Sequence, residues 1–146
     1  MTREMEALYA ELFEAAGLGR RIGEKIAATE GQTQARWQTM WIIHEGAALT
    51  VPQIARRLGV SRQNEQRVVN DLVDDGLAEL VDNPDHRSSP LARLTTDGER
   101  ALLGINRAAK RSNQAIAADL TDAKVAQLRR LLAAFTTSAR AQHPDV

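Results

Sequence analysis

The sequence predicts a mainly α (α+β) fold, and three observations carry that reading. Apolar side chains recur at helical spacing near both ends of the chain, through Leu8, Leu12, Ala15 and Ala16, and again through Val125, Leu128, Leu131, Leu132 and Phe135. Between them, two short helical patterns meet at Gly59. Two apolar strand patterns follow, 77–81 and Leu91–Leu94, separated by a polar loop that carries Pro84 and Pro90. A helix pair across a tight turn, followed by a hairpin, makes a winged helix-turn-helix, with long helices added at the N- and C-terminal ends.

Each element has its own local signals. Residues 3–29 form one helical pattern that continues through Leu18, Ile22 and Ile26. Gly17, Gly19 and Gly23 interrupt it, each costing roughly 0.5–1 kcal/mol against alanine in a helix interior, so a kink or break is expected near 17–19. Thr33 is placed to cap a helix over about 34–44, with Trp37, Met40 and Trp41 on one face and Gly46 ending it. Val51–Leu58 is a short amphipathic helix, and Ser61 opens the next one as its cap. Thr95 or Thr96 can cap a helix over 96–118, with Glu99 three residues after Thr96 as a capping box. Thr121 can cap a last helix over 121–139, and the tail from residue 141 is expected to fray.

Composition narrows the function classes. There is no cysteine, so disulfides, thiolate metal sites and thiol redox sensing are excluded. His44, His86 and His143 are scattered without metal-ligand spacing, and no Gly-rich phosphate loop or nucleophile–base pair stands out, so neither a metal, a cofactor nor an enzyme activity is expected. No apolar run approaches the ~20 residues of a membrane span, and the acidic N-terminal segment does not read as a signal peptide; a cytoplasmic protein without a membrane partner is expected. The net charge is zero, but the charge is unevenly placed. Glu4, Glu6, Glu11 and Glu14 make the start acidic, Arg56, Arg57, Arg62 and Arg67 make the central helix pair basic, and Asp71, Asp74, Asp75, Glu79, Asp82 and Asp85 follow.

The second helix of that pair carries the most chemistry. Val69, Leu72 and Gly76 fall on one arc, flanked by Val68 and Val73. The opposite arc holds Gln63, Arg67, Asn70 and Asp74, flanked by Asn64 and Gln66, so that after the cap Ser61 the exposed N-terminal half is Arg62, Gln63, Asn64, Gln66 and Arg67. Arginine pairs bidentately with guanine, and asparagine or glutamine with adenine, so this face suits base edges in a major groove. The free N–H groups at the helix start suit a phosphate. An ordinary solvated face would be richer in lysine and glutamate. Glu65 does not fit, because it points toward the buried arc; as a lone acid it is expected at the edge, turned to solvent or paired with an arginine.

The segment NPDHRSSPLARLTTDGERAL closely resembles the wing of the MarR family of bacterial transcription regulators, in which a D-x-R tip leads into a strand ending in L-T-x-x-G. Here these are Asp85-His86-Arg87, Leu94-Thr95 and Gly98. The preceding VPQIARRLGVSRQNEQRVVNDLVDDGL and TQARWQTMWII resemble the family's DNA-proximal helices, so the likeness covers about residues 30–100 closely and the flanking helices in layout. The resemblance implies an obligate homodimer on double-stranded DNA. One helix of each subunit would enter a major groove through Arg62, Gln63, Asn64 and Arg67, and a wing (Asp85, His86, Arg87, Ser88) would reach the adjacent minor groove. In it, Arg87 is the minor-groove arginine, which suits the negative potential of a narrow A·T-rich groove, and Asp85 orients the wing through an ion pair. Glu65 departs from the family's usual apolar residue.

Residues 33–96 are thus expected to be the DNA-binding module, and residues 1–32 and 97–146 a helical dimerisation region, all within one domain. The terminal helices are too long and too apolar on one side to be covered by so small a module, so a second copy is expected to bury them. The resemblance further implies a small aromatic or phenolic effector, for which Trp37, Trp41 and His44 are candidate lining residues; the alternative is that the tryptophans, at i and i+4, are core. Two functions remain open: a dimeric, sequence-specific regulator, most often a repressor by family analogy, and a winged-helix protein-interaction module, toward which zero net charge, the acidic 71–85 segment and Glu65 point.

Overall fold

A computed structural model describes residues 2–145; residues 1 and 146, the outermost positions of the expected dimerisation region, lie outside the described residues. The fold is mostly helical with one small antiparallel sheet, and the chain divides after Ala109 into two compact units. Among the described residues, no helix is long and apolar enough to cross a membrane.

In the first unit, α1 (Arg3–Ala28) runs unbroken through all three glycines. The expected break near 17–19 is absent. A Cβ at Gly19 would meet nothing within 4 Å and one at Gly17 only the Arg21 guanidinium, so these glycines cost helix propensity without forcing a bend. Gly23 has a different role: a Cβ there would come within 2.9 Å of Gln34 Cγ, so its bareness lets α1 approach α2 (Gln34–Gly46) closely. Thr33 caps α2, its hydroxyl accepting from the Arg36 N–H at 3.2 Å. The helix continues two residues past the expected end at 44. Its last residue, Gly46, makes room for the Leu49 side chain, while the positive φ (63°) falls on Ala47.

A two-residue strand, β1 (Leu49–Thr50), leads into α3 (Val51–Leu58). Thr50 and Gln53 form a reciprocal capping box, the Gln53 N–H donating to the Thr50 hydroxyl at 3.3 Å and the Thr50 N–H to Gln53 Oε1 at 2.9 Å. Gly59 closes α3 in the left-handed conformation (φ 67°), which an L side chain adopts only under strain. Then come α4 (Arg62–Asp74), β2 (Ala78–Val81) and β3 (Leu91–Leu94). β2 begins one residue later than expected, because the Leu77 N–H is still engaged by the Leu72 carbonyl at the end of α4. The sheet order is β1-β3-β2, with Leu49 opposite Ala92, Ala78 opposite Leu94 and Val81 opposite Leu91.

α5 (Thr96–Ser112) starts on Thr95. The Thr95 hydroxyl accepts from the Gly98 N–H at 3.1 Å and donates to the Gly76 carbonyl at 2.6 Å, tying the start of α5 to the turn after α4. Of the two expected caps it is Thr95 that serves, so the third residue after the cap is Gly98 and the Thr96–Glu99 capping box does not form; the Glu99 side chain meets His44 instead.

Two apolar clusters hold this unit together. One joins Ile26, Met40, Leu72, Ala78, Leu102, Ile105, Ala108 and Ala109, and the other joins Ile43, Leu49, Val51, Ile54, Val69 and Ala92. α4 contributes Leu72 to the first and Val69 to the second, so it is anchored on both. Phe13 and Leu18 of α1 and Leu103 of α5 stay exposed.

In the second unit, the single helix expected to reach residue 118 is interrupted: the chain turns at Asn113 (φ −90°, ψ 0°), a turn conformation that asparagine favours, and resumes as α6 (Gln114–Asp119). α7 (Asp122–Gln142) is capped by Thr121, whose hydroxyl accepts from the Lys124 N–H at 3.4 Å. α7 runs past its expected end at 139, so the tail remains helical to Gln142. Leu128, Leu131 and Leu132 on α7 are exposed.

Candidate nucleic-acid interface

The buried stripe of α4 is Glu65, Val69 and Leu72, a spacing of four and three residues that aims one side of the helix into the core. The residues expected to face a major groove lie outside that stripe: Ser61, Arg62, Gln63, Asn64, Gln66 and Arg67 are all exposed. Ser61 caps the helix, its hydroxyl accepting from the Asn64 N–H at 3.1 Å. Two side-chain bonds order the exposed face. Arg67 Nη2 donates to Asn64 Oδ1 at 2.7 Å, and Gln66 Nε2 donates to Asn70 Oδ1 at 3.0 Å. These bonds join residues three and four apart, the neighbours on a helix surface, and hold the guanidinium and amides upright on one face. Arg56 and Arg57 on α3 are exposed as well, and extend the positive charge.

The wing is the β2–β3 connection, 82–90. Asp85, His86, Arg87 and Ser88 are all exposed at its tip. Its organiser is a residue the sequence reading missed, Asn83. The Asn83 side chain donates to the Ser89 carbonyl at 2.9 Å and accepts from the Asp85 N–H at 3.1 Å, closing the loop upon itself. His86 Nδ1 and the Ser88 hydroxyl share a hydrogen bond of 2.9 Å. The expected ion pair of Asp85 is not formed: among the described residues Asp85 has no salt-bridge partner, and its backbone rather than its carboxylate is what Asn83 holds. Arg87 is likewise without an ion-pair partner among the described residues. Arg93 and Glu79, facing each other across β3 and β2, pair at 2.6 Å and brace the base of the wing.

Glu65 is the largest departure from expectation. It is 2% exposed, neither turned to solvent nor paired with an arginine. Its Oε1 accepts from the Thr39 hydroxyl of α2 at 2.7 Å. Burial pushes its carboxyl above the ordinary range, and the Thr39 hydrogen bond draws it part of the way back. The signal lay in the buried stripe of α2, where Thr39 stands beside Met40 and Ile43.

The three candidate effector residues separate. Trp37 packs against the first core cluster, and its indole N–H donates to Asn106 Oδ1 at 3.1 Å. Trp41 is exposed, and its ring lies 6.4 Å from that of His44. His44 Nδ1 meets both Glu99 oxygens, at 3.2 and 2.9 Å. Trp41 and His44 thus share a surface of α2, whereas Trp37 turns inward. Among the described residues, no group of three or more His, Asp or Glu side chains could hold a metal ion.

Comparison with known proteins agrees with this geometry. The MarR family model matches residues 31–87, the span from α2 to the wing arginine. An uncharacterized protein of Mycobacterium tuberculosis is 49% identical over 144 residues, covering 99% of this chain and 100% of that protein. A candidate transcriptional regulatory protein for the hcr operon of Thauera aromatica is 30% identical over 105 residues, covering 72% of this chain and 63% of that one. Among solved structures, a mutant Escherichia coli MarR complexed with operator DNA superposes with a TM-score of 0.75 at 22% identity, covering 90% of this chain and 95% of that one. NadR in complex with 4-hydroxyphenylacetate superposes with a TM-score of 0.79 at 20% identity, covering 88% and 91%. Residues 31–87, which carry the helix pair and the wing tip, thus match the MarR family, and the chain as a whole has the fold of that family's winged-helix proteins.

Proposed function

We propose that this chain is a homodimeric, sequence-specific DNA-binding repressor that occupies a pseudo-palindromic operator. The observation that carries the reading is the exposed N-terminal half of α4, where Arg62, Gln63, Asn64, Gln66 and Arg67 face solvent, Arg67 bonded to Asn64 and Gln66 to Asn70, while Val69 and Leu72 anchor the helix on two clusters. Such a helix reads base edges in a major groove, with Ser61 and the free N–H groups beside it on a phosphate. Arg87, with Asp85, His86 and Ser88, supplies the minor-groove contact. The similar MarR complexed with operator DNA supports this mode of binding.

Dimerisation through residues 1–32 and 97–146, around the DNA-binding module 33–96, is supported by the apolar side chains both ends leave uncovered: Phe13 is 74% exposed and Leu131 61% exposed. Of the three candidate effector residues, two remain at the surface. Trp41 and His44 remain the candidate contacts for a small aromatic or phenolic molecule, supported by the similar NadR that carries 4-hydroxyphenylacetate, while Trp37 serves the core. The protein is read as a cytoplasmic binding protein, not an enzyme.

The test is binding to duplex DNA over a range of salt, with the mass of the complex measured in parallel. A dimer on DNA whose affinity falls steeply and log-linearly with salt is expected, because phosphate contacts release counterions. Salt-independent binding, or no binding to duplex, would favour the protein-interaction module instead.

A further inference from the structure

A carboxylate occupies the first core position of the helix assigned to base readout. Glu65 lies between Asn64 and Gln66, two of the residues offered to DNA, yet is itself buried on the opposite side of α4. Taking a carboxylate out of water is unfavourable, and well-packed apolar residues often replace buried charges without loss of stability. No ion pair offsets that cost: among the described residues the Glu65 carboxylate is in no salt bridge, and its hydrogen bond is to the Thr39 hydroxyl. Burial accordingly favours the neutral form.

What a carboxylate provides here and a leucine would not is direction. Apolar contacts tolerate a small rotation of one helix against another, whereas a hydrogen bond of 2.7 Å does not. A second polar tie joins the same two helices at the other end of α4, where Arg36 Nη2 of α2 meets the carboxylate of Asp75, the C-cap residue, at 2.7 Å. Two ties, one at each end, fix the rotation of α4 about its own axis. The exposed side chains turn with the helix that carries them, and two pairs of them, Asn64 with Arg67 and Gln66 with Asn70, are held to one another. A helix with its side chains has a radius of about 5–6 Å, so a rotation of roughly 10° shifts the tips on the far side by about 1 Å. Recognition sites tolerate displacements of only about 0.5 Å.

We propose that Glu65 is a positioning residue for DNA sequence readout: its hydrogen bond to Thr39 sets the rotation of α4 on α2, and so decides which base edges Gln63, Gln66 and Arg67 meet. This rests on the reading of the protein as a sequence-specific DNA binder. Glu65 touches no DNA in this scheme. It determines specificity while leaving attraction to phosphates unchanged.

The test starts with selection of duplexes by the unaltered full-length protein from a randomised pool. Failure to select any sequence would overturn the DNA reading itself, and this proposal with it. With an operator in hand, affinities for it and for a scrambled duplex are measured for Glu65→Leu, Glu65→Gln, Thr39→Val and Thr39→Ser. Glu65→Leu and Thr39→Val should reduce the operator-to-scrambled ratio by roughly tenfold, within the range of one misplaced base contact, with affinity for the scrambled duplex unchanged. Glu65→Gln and Thr39→Ser keep an acceptor and a donor in place, and should retain the ratio. Should Glu65→Leu fail to fold, Thr39→Val decides, since it removes only a hydroxyl in favour of an isosteric methyl. A ratio unchanged in Thr39→Val would overturn the proposal, as would Glu65→Gln falling as far as Glu65→Leu.

Discussion

Gly98, in the first turn of α5, lies directly against the carbonyl group of Leu77, so that a Cβ placed there would collide with backbone. The same segment is tied by the Thr95 hydroxyl to the Gly76 carbonyl and by the Thr95 N–H to the Leu77 carbonyl at 3.1 Å. The L-T-x-x-G run of Leu94, Thr95 and Gly98 is therefore a packing device: threonine bonds the turn after α4 to the start of α5, and glycine lets the two backbones meet. Gly98→Ala must move backbone, and should destabilise by about 1–3 kcal/mol or more. Gly19→Ala, in an open stretch of α1, should stabilise by about 0.5–1 kcal/mol through helix propensity alone. Urea unfolding of both variants checks the contrast; equal effects would contradict it.

Glu65 makes stability depend on pH in a definite direction. Its carboxyl is held above the ordinary value of 4.5, so between that value and its folded-state pKa the native protein keeps a proton that the unfolded chain has released. The stabilisation from this group is complete below 4.5 and is lost as pH rises through the folded-state pKa. Glu65→Gln, which cannot ionise, should therefore gain on the parent as pH rises from 4.5 toward neutrality. Denaturation midpoints of the pair across that interval read the difference directly, and a constant gap would show that Glu65 ionises as freely folded as unfolded.

Arg67 stands in the exposed array with its guanidinium bonded to Asn64 at 2.7 Å. Arg67→Ala should cost about 1–3 kcal/mol of operator binding and relax base preference at one position in each half-site. Selection from a pool randomised one position at a time resolves this. Uniform weakening on every sequence would assign Arg67 to phosphate alone.

Arg87 extends from a wing held in shape by Asn83. Arg87→Ala should weaken binding most where the operator flanks are A·T-rich, because a narrow minor groove concentrates negative potential. Asn83→Ala should reproduce part of that loss by releasing the loop that Asn83 closes on Ser89 and Asp85. Affinities on A·T-rich and G·C-rich flanks distinguish the two, and an Arg87→Ala protein indifferent to flank composition would contradict the wing assignment.

Much of this was legible in the sequence because the signals were local. Thr33, Ser61 and Thr121 each cap the helix they precede, and the outward set on α4 follows from helical periodicity. What escaped depends on contacts distant in sequence. β1 has two residues, too few to show an alternating pattern, and exists because Leu49 and Thr50 meet β3. Glu65 looked like an edge residue until Thr39, twenty-six positions away, supplied its partner. Glu99 had a local partner in Thr96 but bonds His44, fifty-five positions away, instead. Asn83 is a residue type common in turns, but that it closes the wing depends on its reaching Ser89 six positions on, which composition does not show. The break at 17–19 was overestimated because glycine lowers helix propensity by less than an uninterrupted run of neighbours restores.

The most direct test of the central claim is to incubate the purified protein with fragmented DNA from its own genome at physiological salt and to sequence what is retained. A dimeric, sequence-specific regulator should enrich a short inverted repeat close to promoters, with half-sites about one helical turn apart. Retention of DNA with no common sequence would contradict it.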